Sequence, residues 1–324
     1  MKVLVTGAGG FIGSYLVERL VREGAEVTAL VRYNSRQDPG LLALLPNDVR
    51  EAVEVVAGDL RDADAVAGSA RRCEIIFHLG ALIAIPYSYL HPREVVETNV
   101  LGTLNVLMAA RSGDVRRVVH TSTSEVYGTA RYVPIDEGHP LQGQSPYSAS
   151  KIGADKLAES FHRSYKLPVV TVRPFNTYGP RQSTRAVIPT IITQALTGDV
   201  IRLGDLATTR DFTFVADTVE GFWRAATTPG IEGAEINVGT DSEISIGDLA
   251  RLICRLIGKE AHIEVDPQRL RPADSEVRQL WASQNQARKL LGWAPSTTLE
   301  AGLPRTIDWY RANLGRYRPE QYAV

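Results

Sequence analysis

Apolar positions along this chain fall into short runs of three to five, separated by longer stretches with helical spacing. Residues 2–6 carry Val3, Leu4 and Val5 in a row, a short buried strand. Residues 14–23 follow with helical spacing. Further apolar runs at 27–31, 53–57, 75–79, 118–119 and 169–172 predict more strands. Helical stretches lie between them, including a long one at 93–111 and another opening at Ser145, which reads as an N-cap before Pro146. Strand and helix in alternation predict an α/β fold with a Rossmann-like, doubly wound parallel sheet.

Beyond residue 175 the alternation loosens. Helices are expected at 187–196, 217–226 and 246–257, and near 303–314. Strands are expected at 200–203 and 236–239, and a basic loop at 269–278. This half reads as a smaller C-terminal substrate-binding lobe over the cleft. The expected division is 1–175 for dinucleotide binding, with 210–240 returning to it, and 176–209 with 241–324 for the lobe. No internal repeat or low-complexity linker separates them.

Composition narrows the class. The chain has 324 residues and a net charge of -1, so neither nucleic acid nor an anionic membrane is an expected partner. Cys73 and Cys254 are its only cysteines, and the six His show no metal-ligand spacing. A disulfide framework and a metal site are therefore not expected, and a reducing cytoplasm is. Residues 1–13 are apolar but broken by glycines and are not read as a signal peptide, and no run is long enough to span a membrane. His120 sits in an apolar strand and reads as core.

Between the first strand and first helix stands Gly7-Ala8-Gly9-Gly10-Phe11-Ile12-Gly13. Glycines at 7, 10 and 13 permit a tight turn and close approach of a pyrophosphate to a helix N-terminus. At the end of the second strand, where a NAD site usually has an acid, stand Val31 and Arg32, followed by Asn34, Ser35 and Arg36. These suit a ribose 2′-phosphate, so NADP is expected ahead of NAD; the alternative is an Arg32 that stacks on adenine or faces water. Asp59 reads either as an adenine contact or as a helix cap. Gly80-Ala81 brings backbone close to the cofactor, and residues 86–89 form an aromatic loop or surface turn containing Tyr87.

The densest chemistry lies at 121–151. Thr121-Ser122-Thr123-Ser124-Glu125 ends a buried strand, and Tyr147 and Lys151 are one helical turn apart. A lysine ammonium there would lower the Tyr147 pKa from its usual value of about 10 and make it a base. Thr123 would hold the substrate oxygen. Glu125 would face the same side as Thr123 if the strand continued, as a second acid or base.

The segments 7–13, 121–128, 147–151 and 173–180 together resemble the extended short-chain dehydrogenase/reductase family over nearly the whole chain. Within it the chain is most similar to nucleotide-sugar 4,6-dehydratases. The run Leu30-Val31-Arg32 resembles GDP-mannose dehydratases, which use NADP. Tyr178-Gly179-Pro180-Arg181-Gln182-Ser183 resembles bacterial dehydratases of legionaminic-acid type pathways, acting on UDP-N-acetylglucosamine. The resemblance implies a lyase with Thr123, Ser124, Glu125, Tyr147 and Lys151 catalytic. It implies cofactor contacts at Gly7, Gly10, Phe11, Ile12, Gly13, Arg32, Asn34, Ser35, Asp59, Leu60, Leu79, Ala81, Asn99, Tyr147, Lys151 and Pro174. Substrate contacts are implied at Tyr87, Thr123, Asn176, Val187, Leu203, Arg210 and Arg271. It also implies a homodimer through a four-helix bundle, formed by the helices at 93–111 and 147–165 with Val95, Val106, Leu107, Leu157, Phe161 and Tyr165. Ser124-Glu125 is shared with UDP-glucuronate decarboxylases, so decarboxylation and C4 epimerisation stay open beside dehydration. A non-catalytic dinucleotide-binding regulator would be expected to have lost Tyr147 or Lys151.

Overall fold

The computed structural model describes residues 1–318. Six strands form in chain order: β1 (Lys2–Thr6), β2 (Glu26–Arg32), β3 (Val53–Gly58), β4 (Ile75–His78), β5 (Arg117–Thr121) and β6 (Val169–Pro174). A seventh, Glu235–Val238, returns from the second half and pairs with β6. The sheet order is Glu235–Val238, β6, β5, β4, β1, β2, β3, and every pairing is parallel.

Period-two alternation splits β1 between two cores. Val3 and Val5 join one apolar cluster with Leu16, Leu20, Val219 and Phe222. Leu4 joins the other with Ile76, Val106, Val118 and Phe161. Helices Phe11–Arg22 and Val215–Thr227 therefore cover one face, while Ala63–Ala70, Gly102–Ser112 and Pro146–Tyr165 cover the other. This is the expected Rossmann-like doubly wound sheet. Its order reverses between β1 and β4, and a crevice opens there at the carboxyl ends of the strands.

The second half builds small sheets beside that crevice. Asn176–Tyr178 pairs with Phe212–Phe214. Thr209–Arg210 lies between Ile244–Ser245 and Gln279–Leu280. Val200–Leu203 pairs with His262–Val265.

Four local expectations change. The aromatic loop at 86–89 is part of a helix, Ile85–Leu90, with Pro86 in its first turn, where a missing N–H costs nothing. Glu125 is not on a strand: β5 stops at Thr121, Thr123 caps a 3-10 turn spanning Ser124–Tyr127, and the i, i+2 argument does not apply. The last helix begins at Leu299, earlier than expected, because Thr298 accepts the Ala301 N–H and sets its start. The helix at 93–111 runs Pro92–Val96, a π turn Glu97–Leu101, then Gly102–Ser112.

The residues expected to pair two copies are mostly used inside one chain. Val95, Val106, Leu107 and Phe161 are buried, and Leu157 packs against the second core. Of the expected residues Tyr165 is exposed, and the same helices also expose Val96, Leu101 and Met108. Among the described residues no helix is long and apolar enough to cross a membrane, and no cluster of three or more His, Cys, Asp or Glu could hold a metal.

Candidate active site

The crevice widens into one cleft of about 1410 Å³. At one end the glycine turn forms its floor. Gly7 has φ +69°, and a Cβ on it would meet the Gly80 N at 2.7 Å. Thr6 Oγ1 accepts the Gly80 N–H at 3.0 Å and lies 2.8 Å from His78 Nδ1, so β1 and β4 are held together where they end. The helix Phe11–Arg22 starts with no side-chain cap and no acid in its first turn. Its first N–H groups are left for an anion. A close-packed glycine turn and an uncapped helix N-terminus at the sheet's switch point fit a nicotinamide dinucleotide. Gly7, Gly10, Phe11, Ile12 and Gly13 would hold its pyrophosphate.

At the centre stand Thr123, Ser124, Glu125 and Tyr147. Ser145 caps the helix Pro146–Tyr165 through a reciprocal box with Ser148, which fixes its first turn and hence Tyr147. Lys151 lies one turn on, behind Tyr147, and its Nζ donates to the Thr121 carbonyl at 2.7 Å. The expected activation of Tyr147 by Lys151 is not what these residues produce. Burial pushes the Tyr147 hydroxyl well up, a hydrogen bond with Thr123 opposes this, and the charges of Glu125 and Asp155 add to it. Burial also pushes Lys151 down to about 8, against the pull of Asp155. Positive charge brought near Tyr147 would counter that burial.

Below that layer a polar network crosses the sheet. Asp155 accepts from His120 Nε2, Ser122 Oγ and the Arg173 guanidinium. His120 is fully buried, in the core position expected for it.

At the far end two arginines face two glutamates. Arg210 Nη2 lies 3.2 Å from Glu276, and Arg271 Nη1 lies 3.5 Å from Glu276 and 4.0 Å from Glu125. Arg271 Nη1 is buried without a hydrogen bond, as are Asn176 Nδ2 and Thr121 Oγ1, all on cleft-lining residues. Such atoms are costly to leave unpaired and suit a polar ligand.

Of the residues expected at the site, the cleft is also lined by Arg32, Leu79, Ala81 and Pro174, and by Asn176, Val187, Leu203, Arg210 and Arg271. Others are engaged elsewhere. Asn34 ties its own turn to Asp38 and Arg36, and Ser35 lies in that turn. Asp59 is held bidentately by Arg61. Leu60 packs against Gly80 and Gly102. Asn99 bonds the Leu82 backbone and Ser150. The Tyr87 hydroxyl donates to Glu94. Tyr89 lines the cleft in place of Tyr87, with its hydroxyl 2.6 Å from Ser275 Oγ.

Sequence reasoning missed Glu276, although it lies only five residues after Arg271. It also missed Trp309 and Tyr317, which line the cleft from the end of the described chain.

The family model for GDP-mannose 4,6-dehydratase matches residues 4–306. A UDP-glucose 4-epimerase from Mycolicibacterium smegmatis is 36% identical over 96% of this chain and 99% of its own. A dTDP-glucose 4,6-dehydratase from Streptomyces antibioticus is 35% identical over 98% of this chain and 95% of its own. The solved structure of a dTDP-glucose 4,6-dehydratase from Streptomyces venezuelae, with NAD bound, superposes with a TM-score of 0.87 at 31% identity, covering 99% of this chain and 100% of that one. The chain thus belongs to the nucleotide-sugar 4,6-dehydratases and 4-epimerases of the extended short-chain dehydrogenase/reductase family.

Proposed function

We propose that this chain is a nucleotide-sugar 4,6-dehydratase, with UDP-N-acetylglucosamine the first substrate to test. The observation that carries this reading is Glu125. It lines the cleft beside Thr123 and Tyr147, with the Arg271 guanidinium 4.0 Å away. A second acid or base beside the oxidising residues is what removal of a C5 proton requires, and a C4 epimerase has no such step.

A bound nicotinamide dinucleotide would supply hydride acceptance from C4 and return to C6. Tyr147 takes the C4 hydroxyl proton, and Thr123 holds that oxygen. Lys151 fixes the ribose side and adds positive charge behind Tyr147. Glu125 removes the C5 proton, now acidified by the C4 ketone. The C6 oxygen leaves as water, taking a proton from Glu125 or Ser124. Asn176, Arg210 and Arg271 hold the diphosphate, exchanging Glu276 for phosphate oxygens. Val187 and Leu203 lie against the base. Arg32 is the residue on which the choice between NADP and NAD turns.

We assign residues 1–175 and 210–240 to dinucleotide binding, and 176–209 and 241–324 to the nucleotide-sugar lobe; residues 319–324 lie outside the described chain. Two copies would pair through the exposed Val96, Leu101, Met108 and Tyr165. Light scattering giving a monomer mass at micromolar protein would remove the dimer.

Decarboxylation needs a cation for the substrate carboxylate. Of the cations near the cleft, Arg181 pairs with Glu18 at 3.2 Å and Arg210 is assigned above to the diphosphate, which leaves exposed Arg185 at the cleft wall. Epimerisation is the second reading, favoured by the Mycolicibacterium relative. Mass spectrometry of products from a panel of nucleotide sugars separates the three. Loss of one water supports dehydration. Loss of carbon dioxide from UDP-glucuronate, or unchanged mass with inverted C4, would each reject it. Glu125→Gln should permit oxidation at C4 and stop loss of water.

A further inference from the structure

Arg32 closes β2 and lines the cleft beside the glycine turn. From the sequence it reads as the cation for a ribose 2′-phosphate. In the folded chain it already has a partner: Arg32 Nη2 donates to Glu94 Oε1 at 3.1 Å. Glu94 comes from a different element, the first turn of the helix Pro92–Val96. Its other oxygen accepts the Tyr87 hydroxyl at 2.5 Å, and the Tyr87 ring packs on His91 at 4.5 Å. Glu94 is thus aimed at Arg32 by a second contact.

The neighbouring arginines are matched in the same way. Arg61 lies 2.7 Å from Asp59 and 4.0 Å from Glu97, and Arg93 lies 2.9 Å from Glu97. Asp38, across the cleft wall, spends one carboxylate oxygen on the Gly40 N–H. Arg32, Arg61 and Arg93 thus each meet a carboxylate.

We propose that Glu94 is the cofactor-selecting acid of this chain: it supplies from a separate helix the carboxylate that the end of β2 lacks, and so favours NAD over NADP. The inference rests on the dinucleotide reading of the cleft. A 2′-phosphate placed on Arg32 must displace Glu94 or share the guanidinium with it, two anions on one cation. A 2′-hydroxyl carries no charge and can donate to the same carboxylate. The Tyr87 hydrogen bond, and then the Arg32 charge, hold the Glu94 carboxyl below the usual range, so the acid is charged at neutral pH.

The test is calorimetric titration of NAD and NADP into nucleotide-free protein at low ionic strength. The variants are Glu94→Gln, Asp38→Asn, and Glu94→Gln combined with Arg32→Ala. The glutamine keeps the size of the side chain and an acceptor for Tyr87. Wild type should bind NAD the more tightly. Glu94→Gln should tighten NADP about tenfold, shift NAD by less than about threefold, and lose the gain as salt is raised. Adding Arg32→Ala should abolish the gain, and Asp38→Asn should leave the NADP-to-NAD ratio unchanged. An unchanged ratio in Glu94→Gln would overturn the proposal while leaving the dinucleotide reading intact. So would a gain that survives loss of Arg32, or one reproduced by Asp38→Asn. If neither nucleotide binds wild type, the dinucleotide reading falls and the inference falls with it.

Discussion

Removing the Asp155 carboxylate should unfold this protein more readily than almost any other single change behind the cleft. Asp155 and Arg173 are both fully buried. Asp155 Oδ1 accepts from His120 Nε2 at 3.0 Å, and Oδ2 accepts from Ser122 Oγ at 2.7 Å and Arg173 Nη2 at 3.1 Å. Burial alone would raise this carboxyl, but the His120 hydrogen bond and the charges of Arg173 and Lys151 outweigh it and hold it below its usual value. Asp155→Ala leaves Arg173 paired with the partly exposed Glu235, at 2.9 Å. It also orphans the His120 and Ser122 donors. Breaking a buried pair from one side costs about 3–5 kcal/mol. With a urea slope of about 3 kcal/mol per molar, the unfolding midpoint should fall by roughly 1–1.7 M. Adding Arg173→Met removes the stranded cation, so the double variant should lose less than the sum of the singles. Urea titration followed by tryptophan fluorescence reads all four proteins. A midpoint shift under about 0.3 M, or single losses that add within about 0.5 kcal/mol, would refute the reasoning.

Tyr147→Phe should lower turnover about 10²–10⁴-fold while leaving dinucleotide binding in place; near-normal turnover would sink the assignment. Lys151→Met should lower activity yet raise stability at pH 7 by roughly 1–3 kcal/mol, because a buried amine held near 8 costs stability below that pH, a cost relieved as pH rises toward 10.5. Unchanged or lower stability on thermal melting would count against it. Gly13→Ala should weaken dinucleotide binding and destabilise by about 1–3 kcal/mol, since its Cβ would overlap the Gly7 carbonyl oxygen; wild-type binding in a titration would contradict this. As pH falls below 6.5, stability should drop by up to about 1.4 kcal/mol per pH unit for each of His78 and His120, which burial keeps neutral in the folded chain while the unfolded chain takes up protons. Asp211 acts in the opposite sense: burial pushes it up to about 6, so the folded chain gains a proton there and recovers part of the loss. Urea midpoints that stay flat from pH 7 to 6 would refute this balance.

The sheet was legible because its inner strands are buried on both faces and read as apolar runs. Val3-Leu4-Val5 divides between two cores, and no pattern of period 3.6 competes with it. Local chemistry was equally plain at Ser145-Pro146, where N-cap and first-turn preferences agree and the structure places both residues as expected. Misreadings came where one local signal stood for another. Pro86 reads as a turn residue but lies in the first turn of a helix, and strand geometry puts Glu125 on a stretch that Thr123 turns into a 3-10 coil.

What could not be read was pairing across the fold. Arg32 looks like a free cation until Glu94, 62 positions away on another helix, is found 3.1 Å from it. Arg210 and Arg271 look like two diphosphate ligands until Glu276 is found against both. A single sequence shows a charge without its counter-charge, yet the counter-charge sets its energy and its availability to a ligand. Lys151 makes the same point in the other direction. Its spacing from Tyr147 suggests activation, but its amine is committed to the Thr121 carbonyl and its charge is answered by Asp155 one turn further on. The residue types at this site could be named from the sequence. Which of them must first give up a protein partner before binding anything is decided by elements that meet only in the folded chain.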